Sequence, residues 1–256
     1  MRARPTLVLL HGGPGGDHSL YRPAFAQLAD VCQVVYVDHR GQGRSDDGDR
    51  SAWTLAQWGD DVRTLCDVLG IERPIVLGTS FGGFVALSYA TRHPGHAAKL
   101  ALVSTSMRMS HPRQAAMFDR LGGTEARLAS ERMWNDATSE TFAEFMRVCR
   151  RLYFPGERNP EADARVRARP AAFFHFLGKG GEGHTFDFGP EMSSITCPTL
   201  VMCGDLDPAT PIEDSEDIVA ALTAAPVQFE RIADAGHPPW ATHPSAIDVI
   251  RDFIRA

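Results

Sequence analysis

Pro74-Ile75-Val76-Leu77-Gly78-Thr79-Ser80-Phe81-Gly82-Gly83-Phe84-Val85-Ala86-Leu87-Ser88-Tyr89-Ala90 joins a short apolar run, which reads as a buried strand, to a run of small and apolar residues, which reads as a helix. Ser80 stands where one becomes the other. Glycines two residues before and two residues after it let the backbone turn tightly and let helix and strand pack close, which lifts the hydroxyl out of the sheet as a nucleophile elbow. The other reading of the same letters is a plain helix N-terminus in which Ser80 caps a backbone N–H. The strand-turn-helix setting favours the elbow, and partners further along the chain strengthen it.

An elbow of this kind calls for an acid and then a base downstream, in the chain order Ser, Asp, His. Leu200-Val201-Met202-Cys203-Gly204-Asp205-Leu206-Asp207-Pro208-Ala209-Thr210-Pro211 is a strand that runs into a carboxylate-bearing turn. Asp207 is the expected acid, by its place after the strand-ending glycine in related hydrolases, and Asp205 is expected to hold the turn through backbone N–H groups. The expected base is His237 in Ala235-Gly236-His237-Pro238-Pro239-Trp240, just after the short strand Val227–Arg231. Gly236 opens a tight turn before the ring and two prolines fix the backbone after it, so the imidazole could be held with little freedom. A solvated loop histidine is the alternative.

Acyl transfer also needs two backbone N–H groups aimed at the developing oxyanion. Leu7-Val8-Leu9-Leu10-His11-Gly12-Gly13-Pro14-Gly15-Gly16 offers a strand followed by a glycine-rich loop. The loop has neither the G-x-G-x-x-G spacing nor the Lys-Ser/Thr ending of phosphate-binding loops. The N–H groups of Gly13 and Phe81 are the expected oxyanion hole, since Pro14 has none to give, and His11 reads as a structural residue bonding loop backbone.

Together with Asp38-His39-Arg40-Gly41-Gln42-Gly43-Arg44-Ser45, these blocks resemble the α/β-hydrolase superfamily over nearly the whole chain. His-Gly-Gly-Pro-Gly-Gly followed by Asp-x-Arg-Gly-x-Gly-Arg-Ser is most like the proline iminopeptidase branch, whose members remove an N-terminal proline. Two departures put the substrate in question: that branch usually has Trp or Tyr where this chain has Phe81, and a longer cap. The resemblance places Ser80 where haloalkane dehalogenases and epoxide hydrolases carry an aspartate, which argues against those activities. Serine esterases, lactonases and carbon–carbon hydrolases stay open.

Composition agrees with an ordinary folded enzyme. The 256 residues are 43% hydrophobic and 23% charged, enough for one substantial core. A net charge of −6 and a pI near 5.9 give no basic stripe, so no nucleic-acid partner is expected and a small-molecule or short-peptide substrate is. No run approaches the roughly 18–20 apolar residues of a membrane span, and Met1-Arg2-Ala3-Arg4-Pro5 leads straight into a strand; the expectation is a cytoplasmic protein without membrane attachment. Cys32, Cys66, Cys149, Cys197 and Cys203 are odd in number and widely spaced, which points to free thiols with no zinc site or disulfide framework.

Strands at Thr6–Leu10, Gln33–Val37, Ile75–Leu77, Leu100–Val103, Leu200–Cys203 and Val227–Arg231 alternate with helices near Tyr21–Ala29, Leu55–Leu69, Ile212–Leu222 and Pro244–Arg255. That alternation predicts a doubly wound, mostly parallel α/β sheet, the α/β-hydrolase fold. The core is expected over 1–104 and 191–256, with 105–190 inserted as a helical cap. Members of the superfamily usually begin with two antiparallel strands that are absent here, which would make Gln33–Val37 a sheet edge. An unpaired apolar edge invites cover, so a homodimer is expected, with a truncated start as the alternative.

The cap is expected to set specificity. Its large apolar residues, Met107, Met109, Met117, Phe118, Met133, Trp134, Phe142, Phe145, Met146, Phe173, Phe174 and Phe176, divide between cap core and pocket lining. An aminopeptidase must also hold the substrate ammonium; Glu131, Glu140, Glu144, Glu157 and Glu182 are available but also read as solvated charges. The segment Gly178–His184 reads as a lid hinge or a plain exposed loop.

The expected chemistry is two-step acyl transfer on Ser80 with no metal or organic cofactor. Proline iminopeptidase-like activity comes first, a carboxylesterase, lactonase or carbon–carbon hydrolase is the alternative, and a non-catalytic ligand-binding protein on the same scaffold is the third possibility.

Overall fold

Short apolar runs build the sheet of this computed structural model, which describes residues 4–153 and 160–256. Strands β1 (Thr6–Leu10), β2 (Gln33–Val37), β3 (Ile75–Thr79), β4 (Lys99–Val103), β5 (Thr199–Gly204) and β6 (Val227–Ile232) line up in the order β2-β1-β3-β4-β5-β6. Every pairing is parallel, where a mostly parallel sheet was expected. Alternate side chains of each strand enter two separate cores. Val8, Leu10, Val76, Leu100, Leu102 and Val201 face one; Leu7, Leu9, Ile75, Leu77, Leu200 and Met202 face the other. Burial on both faces is why the central strands read as unbroken apolar runs instead of alternating ones.

Helix α1 (Arg22–Phe25) is a single turn that tightens into a 3-10 turn over Ala26–Asp30, so the longer helix expected there is split. The tightening puts Phe25 and Leu28, three residues apart, on the same buried side. Helix α2 (Leu55–Leu69) is capped by the Thr54 hydroxyl, which accepts the Gln57 N–H at 3.2 Å, and ends at Gly70 in the left-handed region. Its stripe Leu55, Trp58, Val62 and Cys66 is buried, but Leu69 is 53% exposed because the last turn runs past the sheet. Helix α3 (Phe81–Arg92) is buried on every side from Phe81 to Ala90, which explains its small and apolar sequence.

Between β4 and β5, the region expected as the cap carries α4 (His111–Asn135), α5 (Ser139–Tyr153), α6 (Pro160–Arg165) and α7 (Pro170–Leu177). Helix α4 is kinked at Gly123, whose φ of 72° suits glycine. The chain then returns through β5, α8 (Ile212–Ala221), β6 and α9 (Ala246–Arg255), which buries Ile247, Ile250, Phe253 and Ile254 on the second core.

Polar ties fasten the insertion to the core. The buried Asp17 carboxylate accepts Arg44 Nη1 at 2.6 Å, the Ser19 N–H at 2.8 Å and the Arg167 N–H at 2.8 Å. Burial disfavours its charge, but these donors outweigh burial and hold the carboxyl below its ordinary range. Arg113 of α4 bonds Asp214 at 2.8 Å and Asp217 at 2.7 Å on α8. The segment read as a hinge or loop is anchored: Glu182 accepts the Leu55 N–H at 2.7 Å, and the Gly181 N–H donates to Gly178.

Strand β2 lies at one edge, paired only with β1 among the described strands. Cys32, Cys66, Cys149 and Cys203 are buried free thiols and Cys197 is half-buried. Among the described residues no helix is long and apolar enough to cross a membrane.

The closest backbone approach is between α3 and the strands beneath it. A Cβ on Gly82 would fall on the Leu10 carbonyl oxygen and 2.7 Å from that of His11; one on Gly78 would meet the Gly82 carbonyl. Backbone cannot give way as a side-chain tip can. Gly82→Ala should therefore lower stability by about 2–3 kcal/mol, whereas Val68→Ala at a 78% exposed position should stay within about 0.5 kcal/mol of the parent; urea titrations followed by circular dichroism check both.

Candidate active site

Ser80 follows β3 directly and has φ 54°, ψ −123°, a strained conformation for a residue with a side chain. Its N–H donates to Val103 at 3.0 Å, and its carbonyl accepts the Gly83 N–H and the Thr105 hydroxyl, both at 2.8 Å. The side chain makes no capping hydrogen bond, which sets aside the helix-cap reading. Ser80 shares the lining of one cavity with Tyr153, the last residue of α5. Ser80 is 7% exposed.

The ends of β5 and β6 bring up the other two expected residues. His237 Nδ1 lies 2.7 Å from Asp207 Oδ2, with the histidine 3% exposed and the aspartate fully buried. Asp207 also accepts the Ala209 N–H at 2.9 Å, the Thr210 N–H at 3.0 Å and the Thr210 hydroxyl at 3.0 Å. Burial works against its charge, but His237 and these donors prevail and hold its carboxyl below the ordinary value. An ionised carboxylate only accepts, so Nδ1 of His237 carries the proton and Nε2 presents a lone pair. Asp205 joins the two strand ends, accepting the Asp234 N–H at 2.7 Å. Close packing of the same ends appears at Gly204, where a Cβ would stand 2.7 Å from the Gly236 carbonyl oxygen.

The loop after β1 presses against the serine: a Cβ on Gly12 would stand 3.2 Å from that of Ser80. Within the loop, the Gly12 N–H donates to the Tyr21 hydroxyl and the Gly15 N–H to Gln42 Oε1, both at 2.7 Å, while the Gly13 N–H has no protein acceptor among the described residues. Phe81 is the first residue of α3, so its N–H lies beyond the reach of intrahelical bonding. His11 lies beneath. Its Nδ1 donates to Gly12 at 2.7 Å, its Nε2 accepts the His39 N–H at 3.4 Å, and His39 Nε2 donates back to the His11 carbonyl at 3.1 Å. Both rings use one nitrogen as donor, and burial pushes both pKa values down, so the pair stays neutral.

Tyr21 and Tyr153 are neighbours of these residues that sequence reasoning missed. Burial pushes the Tyr21 phenol up to about 12, and its ring meets Trp240 of the His237 loop edge-on at 6.1 Å. Tyr153 faces His237 with ring centroids 4.7 Å apart. Neither stands in a motif; only the fold brings them in.

Over Ser80 lies a cavity of about 20 Å³, room for about one water. Phe84, Met109, Trp134, Tyr153, Phe176 and Leu177 supply its apolar wall. Of the cap residues expected to divide between core and pocket, Met109, Trp134 and Phe176 reach this wall, while Phe118, Met133 and Phe145 are buried in the core. The polar members are committed: Gln114 Nε2 donates to Ala209 at 2.6 Å and the Thr210 hydroxyl to Asp207. The buried Trp134 indole N–H has no acceptor among the described residues. No carboxylate lines the cavity among the described residues. Glu131 pairs with Arg127 at 2.8 Å, Glu144 with Arg132 at 2.7 Å, Glu182 with the Leu55 N–H, and Glu140 is exposed; Glu157 lies outside the described residues. A larger groove of about 400 Å³ along β2 touches none of Ser80, Asp207 and His237.

An open parallel sheet that presents a strained serine after its third strand, with an imidazole–carboxylate pair from later strand ends, is the architecture of α/β hydrolases. The chain belongs to the alpha/beta hydrolase fold family, whose model matches residues 5–142. It is 28% identical over 243 residues to a Caulobacter sp. protein named as a candidate carbamate hydrolase, RutD, covering 92% of this chain and 83% of that one. It is also 27% identical to the proline iminopeptidase PfmaB of Pestalotiopsis fici, over 98% of this chain and 91% of that one. In fold it is similar to the proline iminopeptidase of Mycobacterium smegmatis, with a TM-score of 0.78, 22% identity, and 99% and 91% of the two chains covered.

The neutral histidine pair gives the fold an acid-sensitive foundation. His11 and His39 titrate below their ordinary 6.5 when folded, so the unfolded chain binds more protons and stability falls as pH drops through about 6.5. Asp17 and Asp207, held below 3.8, add a second loss as pH falls beneath that value. Urea midpoints should fall from pH 7.5 to 5.5 and more steeply below pH 4; a flat profile between 7.5 and 5.5 would contradict the neutral pair.

Proposed function

We propose that the protein is a serine hydrolase that works through an acyl-enzyme on Ser80. The observation that carries this is the buried 2.7 Å contact between Asp207 and His237, with Thr210, which donates to Asp207, lining a cavity together with a strained serine that caps nothing. His237 Nε2 takes the proton from Ser80 as Oγ attacks the carbonyl carbon, and Asp207 fixes the tautomer and stabilises the imidazolium. The Gly13 and Phe81 N–H groups receive the oxyanion. His237 then gives the proton to the leaving group, and water repeats the sequence on the acyl-enzyme.

An uncharged small carbonyl compound, an ester, lactone or carbamate, fits the apolar wall best. The described lining offers no carboxylate for a substrate ammonium. The likeness to a carbamate hydrolase candidate is in keeping with this. Proline iminopeptidase activity is the second reading, favoured by 27% identity to such a protein over 98% of this chain.

Initial rates on matched prolyl and alanyl arylamides and on short-chain aryl esters separate the two, with Ser80→Ala as the blank. Ester turnover without a preference for prolyl arylamide is the expected result, and prolyl turnover well above alanyl would replace it with the peptidase reading. Ser80→Ala and Asp207→Asn should each lower turnover by about 10³-fold or more with the fold intact. Full activity in Ser80→Ala, or failure of a fluorophosphonate to label Ser80, would overturn the hydrolase mechanism in favour of a ligand-binding role.

A further inference from the structure

We propose that Tyr153 is a further catalytic residue, whose hydroxyl donates to the leaving-group oxygen when substrate binds. The inference rests on the acyl-enzyme reading and adds a residue that neither motif nor spacing marks.

Three observations place it there. Tyr153 and Ser80 line the same cavity, and the serine bears on the ionisation of the phenol. Its ring lies against His237, centroids 4.7 Å apart and planes inclined by 51°. It also forms part of the wall of the cavity over Ser80.

Sides decide the role. The Gly13 and Phe81 N–H groups belong to the core loop and the start of α3, so the carbonyl oxygen is drawn toward them. The leaving group departs toward the imidazole, since His237 must deliver a proton to it. Tyr153 stands with the imidazole, its ring packed against that of His237. Burial, with the negative charge of Asp207 nearby, pushes the Tyr153 phenol well above its ordinary value, so it remains a hydrogen-bond donor at every pH the enzyme meets. In the step itself, Oγ forms its bond to the carbonyl carbon, the bond from that carbon to the leaving oxygen breaks, and the proton that His237 took from Ser80 passes to that oxygen. Tyr153 keeps its own proton throughout and stabilises the charge that builds before transfer is complete.

A bond to the leaving group matters most where that group leaves badly. The test is Tyr153→Phe, assayed as kcat/KM on acetate esters of graded leaving-group pKa, from 4-nitrophenyl through phenyl to an alkyl alcohol, with active sites counted by fluorophosphonate titration. The expected result is a loss of about tenfold or more on the alkyl ester and less than about threefold on the nitrophenyl ester, so the dependence on leaving-group pKa steepens. An equal loss on all esters would mean that Tyr153 only shapes the pocket, and no loss, or a gain from relieved blockage, would mean that it plays no part in the step; either overturns the proposal. Ser80→Ala run alongside keeps the cases apart: activity surviving in that variant defeats the acyl-enzyme reading itself, whereas its loss together with an unchanged slope in Tyr153→Phe defeats only the role of Tyr153.

Discussion

The close approach of backbone to backbone, where the first turn of α3 rests on the ends of β1 and β3, is the constraint from which the site follows. Gly78 and Gly82 leave no side chain between the helix and the Leu10 and His11 carbonyls. At that distance the chain can enter the helix only through a residue held at positive φ, and the residue there is Ser80. The neighbouring bonds to Val103 and Thr105 offset a conformational cost on the order of 1–3 kcal/mol. The same contact sets the loop after β1 against the serine. The conformation of Ser80 and the position of the loop are thus one packing problem.

Electrostatics completes the arrangement by saturation. Every oxygen of Asp207 has a donor, so an otherwise costly buried charge is held and the imidazole proton is fixed on Nδ1. Below the glycine loop the problem has the opposite solution. His11 and His39 remain uncharged because the acceptors available to them are carbonyls, whose bonds do not outweigh the cost of burial. Asp17 and Asp207 keep their charge because donors saturate them, while His11 and His39 stay uncharged.

Much of this was legible because its causes are local. A glycine–serine–glycine turn, a strand ending in carboxylates and a histidine between glycine and proline each announce a backbone shape, and chain order links them. The six strands were legible as apolar runs, and the edge position of β2 followed from what precedes it in related chains. What escaped depends on side chains that meet only after packing. Tyr153 ends an ordinary amphipathic helix, and Tyr21 precedes a one-turn helix whose break into a 3-10 turn leaves little periodic trace. The cap carboxylates looked alike in sequence, yet Glu131, Glu144 and Glu182 differ by partners found across turns and elements. The wall over Ser80 joins residues far apart in sequence, which is why it was the least readable part.

Asp17 divides the molecule differently from the chain order. It belongs to the loop that follows β1, but one of its two oxygens is shared by Arg44 of the core and the main chain at Arg167, deep in the insertion. Arg44 also reaches the Arg165 carbonyl at 2.7 Å, and the Arg169 N–H reaches that of Gly15 at 2.8 Å. Pulling residues 165–169 away would strip donors from a carboxylate that water does not reach. Drawn by charge instead of by sequence, the frontier between scaffold and cover runs through the middle of the insertion, and its second half is masonry of the scaffold.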